Sequence, residues 1–274
     1  MLERLLIVLG ACLLVTSSLV RPQAAERAAT GQIVVAGYGP ERTTLEALAR
    51  AFEKANRGSV ITIKWDRNLK AVELVRSGQA QVAVTGEEDS ELAGTPIAWD
   101  GIAVIVNFAN PVREVTTQQV AALFSGTVTR WFEFGGGEDK VHLIQRPPDR
   151  NIRAAFERAL GIVGSVPAAG KVIRSDQKVL SEVGGILSAV SYISLGAALE
   201  ATTFGTPVRM LTIDGVEPGK PRVKDGQYKL RRPVLLLTKK QRPPLLDAFL
   251  GFARSKEGQT IVGETYVPYV PDGG

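Results

Sequence analysis

The stretch from Pro96 to Val112, PIAWDGIAVIVNFANPV, limits the possible folds more than any other part of the chain. It holds an almost unbroken apolar run from Ile102 to Val106, bounded by Asp100-Gly101 before it and by Asn107 to Pro111 after it. An apolar run of that length between turn formers reads as a strand buried on both faces, and such strands belong to sheets covered by helices. Just downstream, Thr116 or Thr117 is placed to cap a helix with Val120, Leu123 and Phe124 on its apolar face and Gly126 as its stop. A buried strand therefore leaves one region and a helix opens another, which predicts a crossing between two lobes just after Val106.

Upstream, Gly31 to Ala36 is a β run, Gly37-Tyr38-Gly39-Pro40 a turn, and Leu45, Leu48, Ala49 and Phe52 recur at helical spacing after Thr43 or Thr44. Val60 to Trp65 alternates as a second strand, Leu69 to Arg76 forms a short helix, and Gln81 to Thr85 makes a third strand running into Gly86-Glu87. Two βα units in succession predict a parallel sheet whose strand ends share one edge. A helix start after a strand leaves backbone N–H groups free for an anion, although Gly37 and Gly39 equally serve a plain tight turn.

Beyond the central strand, Val141 to Gln145 reads as a strand that ends in Arg146-Pro147-Pro148-Asp149-Arg150-Asn151-Ile152-Arg153, with a helix from Ile152 to Leu160. Guanidinium forks match oxyanions bidentately, so three arginines around one strand-to-helix turn are the strongest chemical signal in the chain. The alternative is a solvated helix end with Asp149 paired to a neighbour. Later elements are a strand entering Leu195, strands over Val208 to Ile213 and Leu230 to Thr238, and a helix from Leu245 to Arg254. The tail from Gly258 reads as short, with a polar end. A second crossing is expected near Arg231 to Leu235.

At 274 residues with 45% hydrophobic content the chain is long enough to divide into two lobes. The net charge of +5 favours an anionic partner, but the basic residues come as doublets such as Arg231-Arg232 and Lys239-Lys240. No basic face interleaved with aromatics exists, and nucleic acid is not an expected partner. At the N-terminus, Arg4 precedes an apolar stretch from Leu5 to Val15 and small residues reach Ala24-Ala25, a secretory layout over residues 1–25. Export to the periplasm or the cell exterior follows, with lipid anchoring at Cys12 as the alternative. Cys12 is the only cysteine and His142 the only histidine. No nucleophile–base set, metal-ligand spacing or GxxxxGK[ST] loop is present, so neither an enzyme nor a cofactor is expected.

Several stretches resemble the phosphate-binding group of type II solute-binding proteins of ABC importers. IAWDGIAVIVNFANPV with VTTQQVAALFSGTVTRWFEFGG resembles the family's central block, SYISLG its "GYVSLG" segment, and TIDGVEP with YKLRRPVLLLTKK its return strand. The matches run from about Gly31 to Pro268. The resemblance implies an α/β, two-lobe type II periplasmic binding protein fold with two hinge crossovers. Lobe 1 would comprise residues 31–107 and 230–270, and lobe 2 residues 108–229. It implies a monomer that traps phosphate or a related small oxyanion between its lobes and hands it to an ABC permease. The family's first anion loop falls on Gly37, Tyr38, Gly39, Thr43 and Thr44, and its second on Thr85 and Gly86. The third falls on Arg146 and Arg153, with Arg150, Asn151 and Ile152 where the family carries Ser-Gly-Thr. That last departure also admits a module that has lost phosphate specificity and serves as a sensor or adaptor for a partner protein.

Overall fold

The computed structural model describes residues 30–66, 68–165 and 170–269. The segment 1–25 read as a signal, and Cys12 within it, lie outside the described residues. The chain begins with β1 (Gly31–Gly37), α1 (Arg42–Ala55), β2 (Ser59–Trp65), α2 (Ala71–Arg76) and β3 (Val82–Thr85). β1 pairs in parallel with both β2 and β3, so three strands end along one edge. α1 buries Leu45, Leu48, Ala49 and Phe52, a stripe one turn apart.

β4 (Ala93–Asn107) is longer than its apolar run and leads to β5 (Glu114–Val115) and α3 (Thr117–Phe124). Thr116 caps α3 as expected: its hydroxyl accepts from Gln119 N at 3.1 Å while the Gln119 side chain accepts from Thr116 N at 2.7 Å. Then come β6 (His142–Gln145), α4 (Asn151–Leu160), β7 (Lys171–Val172), α5 (Asp176–Gly185), β8 (Ala189–Ser194) and α6 (Leu195–Thr203). The region expected as one strand from Val208 to Ile213 is divided into β9 (Val208–Met210) and β10 (Thr212–Ile213), followed by α7 (Lys220–Lys224). The chain closes with β11 (Arg231–Thr238), α8 (Pro244–Arg254), α9 (Lys256–Thr265) and β12 (Val267–Pro268). The tail from Gly258, read as short with a polar end, instead carries most of a further helix, α9, packed on α8 and α1.

The strand order is β2-β1-β3-β11-β4-β8-β6-β7, with β9 and β12 also paired to β4 and a separate β5–β10 pair. The ladder runs on through β4, which serves two sets of partners. From Ala93 to Gly101 it pairs with β11, and from Ile102 to Val106 with β8, antiparallel in both cases. The change of partners falls inside the strand, between Gly101 and Ile102, upstream of the crossing expected just after Val106. The return falls opposite that point, where Ile102 N donates to Leu230 C=O at 2.7 Å. Two apolar cores follow the same division. One holds Ile102 to Val106 with Phe124, Trp131, Phe156 and Tyr192. The other covers the sheet of β1, β3 and β11, with Leu45, Phe52 and Phe249 on one face and Val75, Leu235 and Leu237 on the other.

Gly101 sits where the partners change, and a Cβ there would come within 2.8 Å of the Leu195 and Val223 side chains. Gly101→Ala should cost about 1–3 kcal/mol through overpacking. Urea unfolding measures it, and an unchanged midpoint would show that this junction has slack.

Candidate functional site

The parallel strands direct three loops to one cleft: Tyr38 to Glu41 after β1, Arg146 to Ile152 between β6 and α4, and Arg174 to Asp176 at the start of α5. With Arg232 of β11 they line a cavity of about 190 Å³. The N-terminus of α4 opens into it through Asn151 and Ile152, so the helix dipole favours negative charge there.

Arg146 is 4% exposed. Its Nη2 donates to the Arg174 carbonyl at 2.7 Å and to Asp176 Oδ1 at 2.5 Å, which fixes the guanidinium plane. Its Nε and Nη1 are buried and find no hydrogen-bond partner among the described residues. A buried charged donor without an acceptor costs on the order of 1–3 kcal/mol or more, so Nε and Nη1, on opposite sides of the guanidinium, are each left with a donor for an anion. Arg150 donates from Nη1 to the Tyr38 carbonyl at 2.5 Å, lies 5.8 Å from the Tyr38 ring centre, and keeps a buried, unpartnered Nε. Burial, and then the nearby charge of Arg174, lowers the Arg150 pKa from its ordinary value. Asn151 Oδ1 accepts from the Tyr38 hydroxyl. Burial, followed by the carboxylates of Glu41 and Glu87, raises the Tyr38 pKa.

The other expected site residues divide. Arg153 does not line the cleft. From the first turn of α4 its Nε reaches Glu157 Oε1 at 2.5 Å, one turn along, and its Nη1 reaches the Arg146 carbonyl at 2.9 Å. It braces the loop that carries Arg146. Thr43 and Thr44 do not line the cavity either. Glu41, not a threonine, is the N-cap of α1, which places Thr43 on the exposed side and Thr44 in the core. Thr85 is buried, and its hydroxyl accepts from Glu87 N at 3.2 Å. Three glycines serve close packing. A Cβ on Gly37 would meet the Trp65 ring at 2.4 Å, on Gly39 the Glu41 carboxylate at 2.0 Å, and on Gly86 the Arg232 guanidinium at 3.1 Å.

Sequence reading missed the buried charge cluster behind the cleft. Arg232, 1% exposed, donates to Glu41 Oε1 at 2.5 Å and to Asp100 Oδ2 at 2.9 and 3.1 Å. Asp100 Oδ1 accepts from the Ser194 hydroxyl at 2.7 Å. The cluster thus ties α1, β4, β8 and β11 together at the point where strand partners change. Burial pushes the Asp100 carboxyl up to about 6, against the opposing pull of Arg232. A raised carboxyl pKa means that the folded chain binds this proton more tightly than the unfolded one. Its contribution to stability is fully present below about pH 4 and lost as pH rises through about 6. Asp100→Asn should therefore flatten the dependence of unfolding free energy on pH between about 4 and 6. Parallel pH profiles for the two proteins would reject this.

Two α/β lobes sharing long strands, with a charged cleft at the strand ends, define a periplasmic-binding-protein fold of the two-lobe class. The chain belongs to the PBP superfamily, whose domain model matches residues 22–257. It is 24% identical over 253 residues to the phosphate-binding protein PstS of Bacillus subtilis, covering 89% of this chain and 82% of that protein. It is 31% identical to phosphate-binding protein PstS 2 of Streptococcus pneumoniae over 130 residues, 44% of this chain and 43% of that one. Among solved structures, one from Clostridium perfringens, described as a phosphate ABC transporter substrate-binding protein with bound phosphate, superposes with a TM-score of 0.77 at 25% identity. That match covers 88% of this chain and all of the other. An ABC-type phosphate transport receptor from Vibrio cholerae superposes with a TM-score of 0.75 at 23% identity, over 86% of this chain and all of that one.

Proposed function

We propose that the protein captures phosphate or a related small oxyanion between its lobes, outside the cytoplasm, and delivers it as a monomer to an ABC permease. The observation that carries this reading is Arg146, a buried guanidinium whose Nη2 is anchored by Asp176 and whose Nε and Nη1 find no partner among the described residues. Arg150 and the N-terminus of α4 add charge and dipole from the same side. We draw the lobe boundary at the Gly101–Ile102 change of partners, so that a hinge motion there would open the cleft. The relatives described above are named as binding proteins, and we assign this chain no catalytic step.

Titration calorimetry with inorganic phosphate and with sulfate tests the proposal. Single-site binding of phosphate is expected, weakened when Arg146 is replaced. Absence of heat for both anions would remove the proposal.

A further inference from the structure

The cleft does not end at the 190 Å³ chamber. Tyr38 lines that chamber and also a second, larger groove of about 540 Å³ on its other side. The groove runs along α2 and the end of β3, where Ala71, Val72, Val84 and Thr85 face it, and Asp149 closes it from the opposite lobe. Thr85, aligned by resemblance with an anion loop, therefore opens onto the outer space and is not among the residues lining the chamber with Arg146.

The two spaces differ in chemistry. The inner chamber holds the unpartnered guanidinium donors of Arg146 and Arg150. In the outer groove the charges are already matched: Arg76 with Asp89 at 2.5 Å, Lys70 with Glu73 at 3.4 Å, and Asp149 with Arg174 at 2.8 Å. What remains there is aliphatic side chain from Leu69, Ala71, Val72 and Val84, the neutral Asn68 amide, the Thr85 hydroxyl and the phenol of Tyr38. A neutral group fits that lining, whereas a second charge would have to break an existing pair. The inner volume suits a bare tetrahedral oxyanion, and the outer one lies in the range of pockets that hold organic groups.

Resting on the oxyanion reading given above, we propose that this cleft takes organic phosphates or phosphonates with a small neutral substituent. The oxyanion sits against Arg146 and Arg150, and the substituent passes Tyr38 into the outer groove. Tyr38 is the wall between the two spaces. The Tyr38 hydroxyl donates to Asn151 and its carbonyl accepts from Arg150, and the two bonds hold that wall in place.

Calorimetric titration of the full chain with inorganic phosphate, ethylphosphonate and glycerol 3-phosphate tests this. At least one organic probe should bind about tenfold more tightly than inorganic phosphate, the factor expected from burying roughly two methylene groups. Val72→Phe, which fills the groove from α2, should abolish that advantage and leave inorganic phosphate binding unchanged. Tyr38→Ala, which removes the wall, should raise the ratio of organic to inorganic affinity and guards against a misfolded groove variant. Phosphate binding that excludes both organic probes, or a ratio that falls in Tyr38→Ala, would overturn the inference and leave the oxyanion reading standing. Failure of all three probes to bind would overturn both.

Discussion

Replacing Arg146 by alanine is expected to weaken binding of inorganic phosphate by about one to two orders of magnitude, since a hydrogen bond to a charged group contributes about 1.5–3 kcal/mol. Its Nε and Nη1 are already desolvated and its plane is already fixed by Asp176 and the Arg174 carbonyl. Little ordering remains to be done when the anion arrives, so nearly all of the interaction contributes to affinity. Arg146→Lys keeps a charge but loses the fork and should recover only part of the loss. Arg153→Ala supplies the contrast. It removes the brace on the Arg146 carbonyl without touching the cleft, so its expected effect is a modest loss of affinity with a matching loss of stability. Equal binding by wild type and Arg146→Ala would show that the anion sits elsewhere.

How far the cleft was legible in the sequence depends on whether its geometry is local. The order of strands and helices around β1, β2 and β3 follows from apolar periodicity and glycine turns, and it appears as expected. Arg146 and Arg150 were visible because a strand end, two prolines and a helix start fall within a few residues. Arg153 was placed with them since spacing alone does not say whether a first-turn arginine points outward or along its own helix. The Glu157 carboxylate one turn away decides it. α9 was missed because Gly258 and Gly263 each weaken a helix signal by about 1 kcal/mol. Gly258 is required instead by contact, since a Cβ there would meet the Phe252 carbonyl at 2.1 Å. Arg232 reads in the sequence only as half of a basic doublet with Arg231. Its partners lie 132 and 191 residues away, and no local pattern links residues so far apart. Alternation along β11 separates the doublet: Arg232 turns to Asp100 and Glu41, while Arg231 stacks 4.3 Å over the Trp99 ring.

The largest stability effect is expected from Arg232→Met. The guanidinium, Glu41 and Asp100 are all buried, and among the described residues the ion pairs of both carboxylates are with Arg232. Removing one partner of a buried ion pair costs about 3–5 kcal/mol, because the remaining charges are stranded where water cannot reach them. The loss should itself depend on pH. Arg232 pulls the Asp100 pKa downward against burial, so without it the carboxyl binds its proton still more tightly and becomes neutral over a wider range. The destabilisation should accordingly be smaller near pH 5, where Asp100 is protonated, than near pH 8, where ionisation of a buried carboxyl opposes folding. Adding Asp100→Asn to Arg232→Met should restore part of the lost stability at pH 8 and little at pH 5, the signature of a coupled pair in a double-mutant cycle. Urea unfolding at both pH values reads all of these outcomes. A loss below about 1 kcal/mol that is the same at pH 5 and pH 8 would mean that water reaches the cluster and screens it as it screens surface pairs.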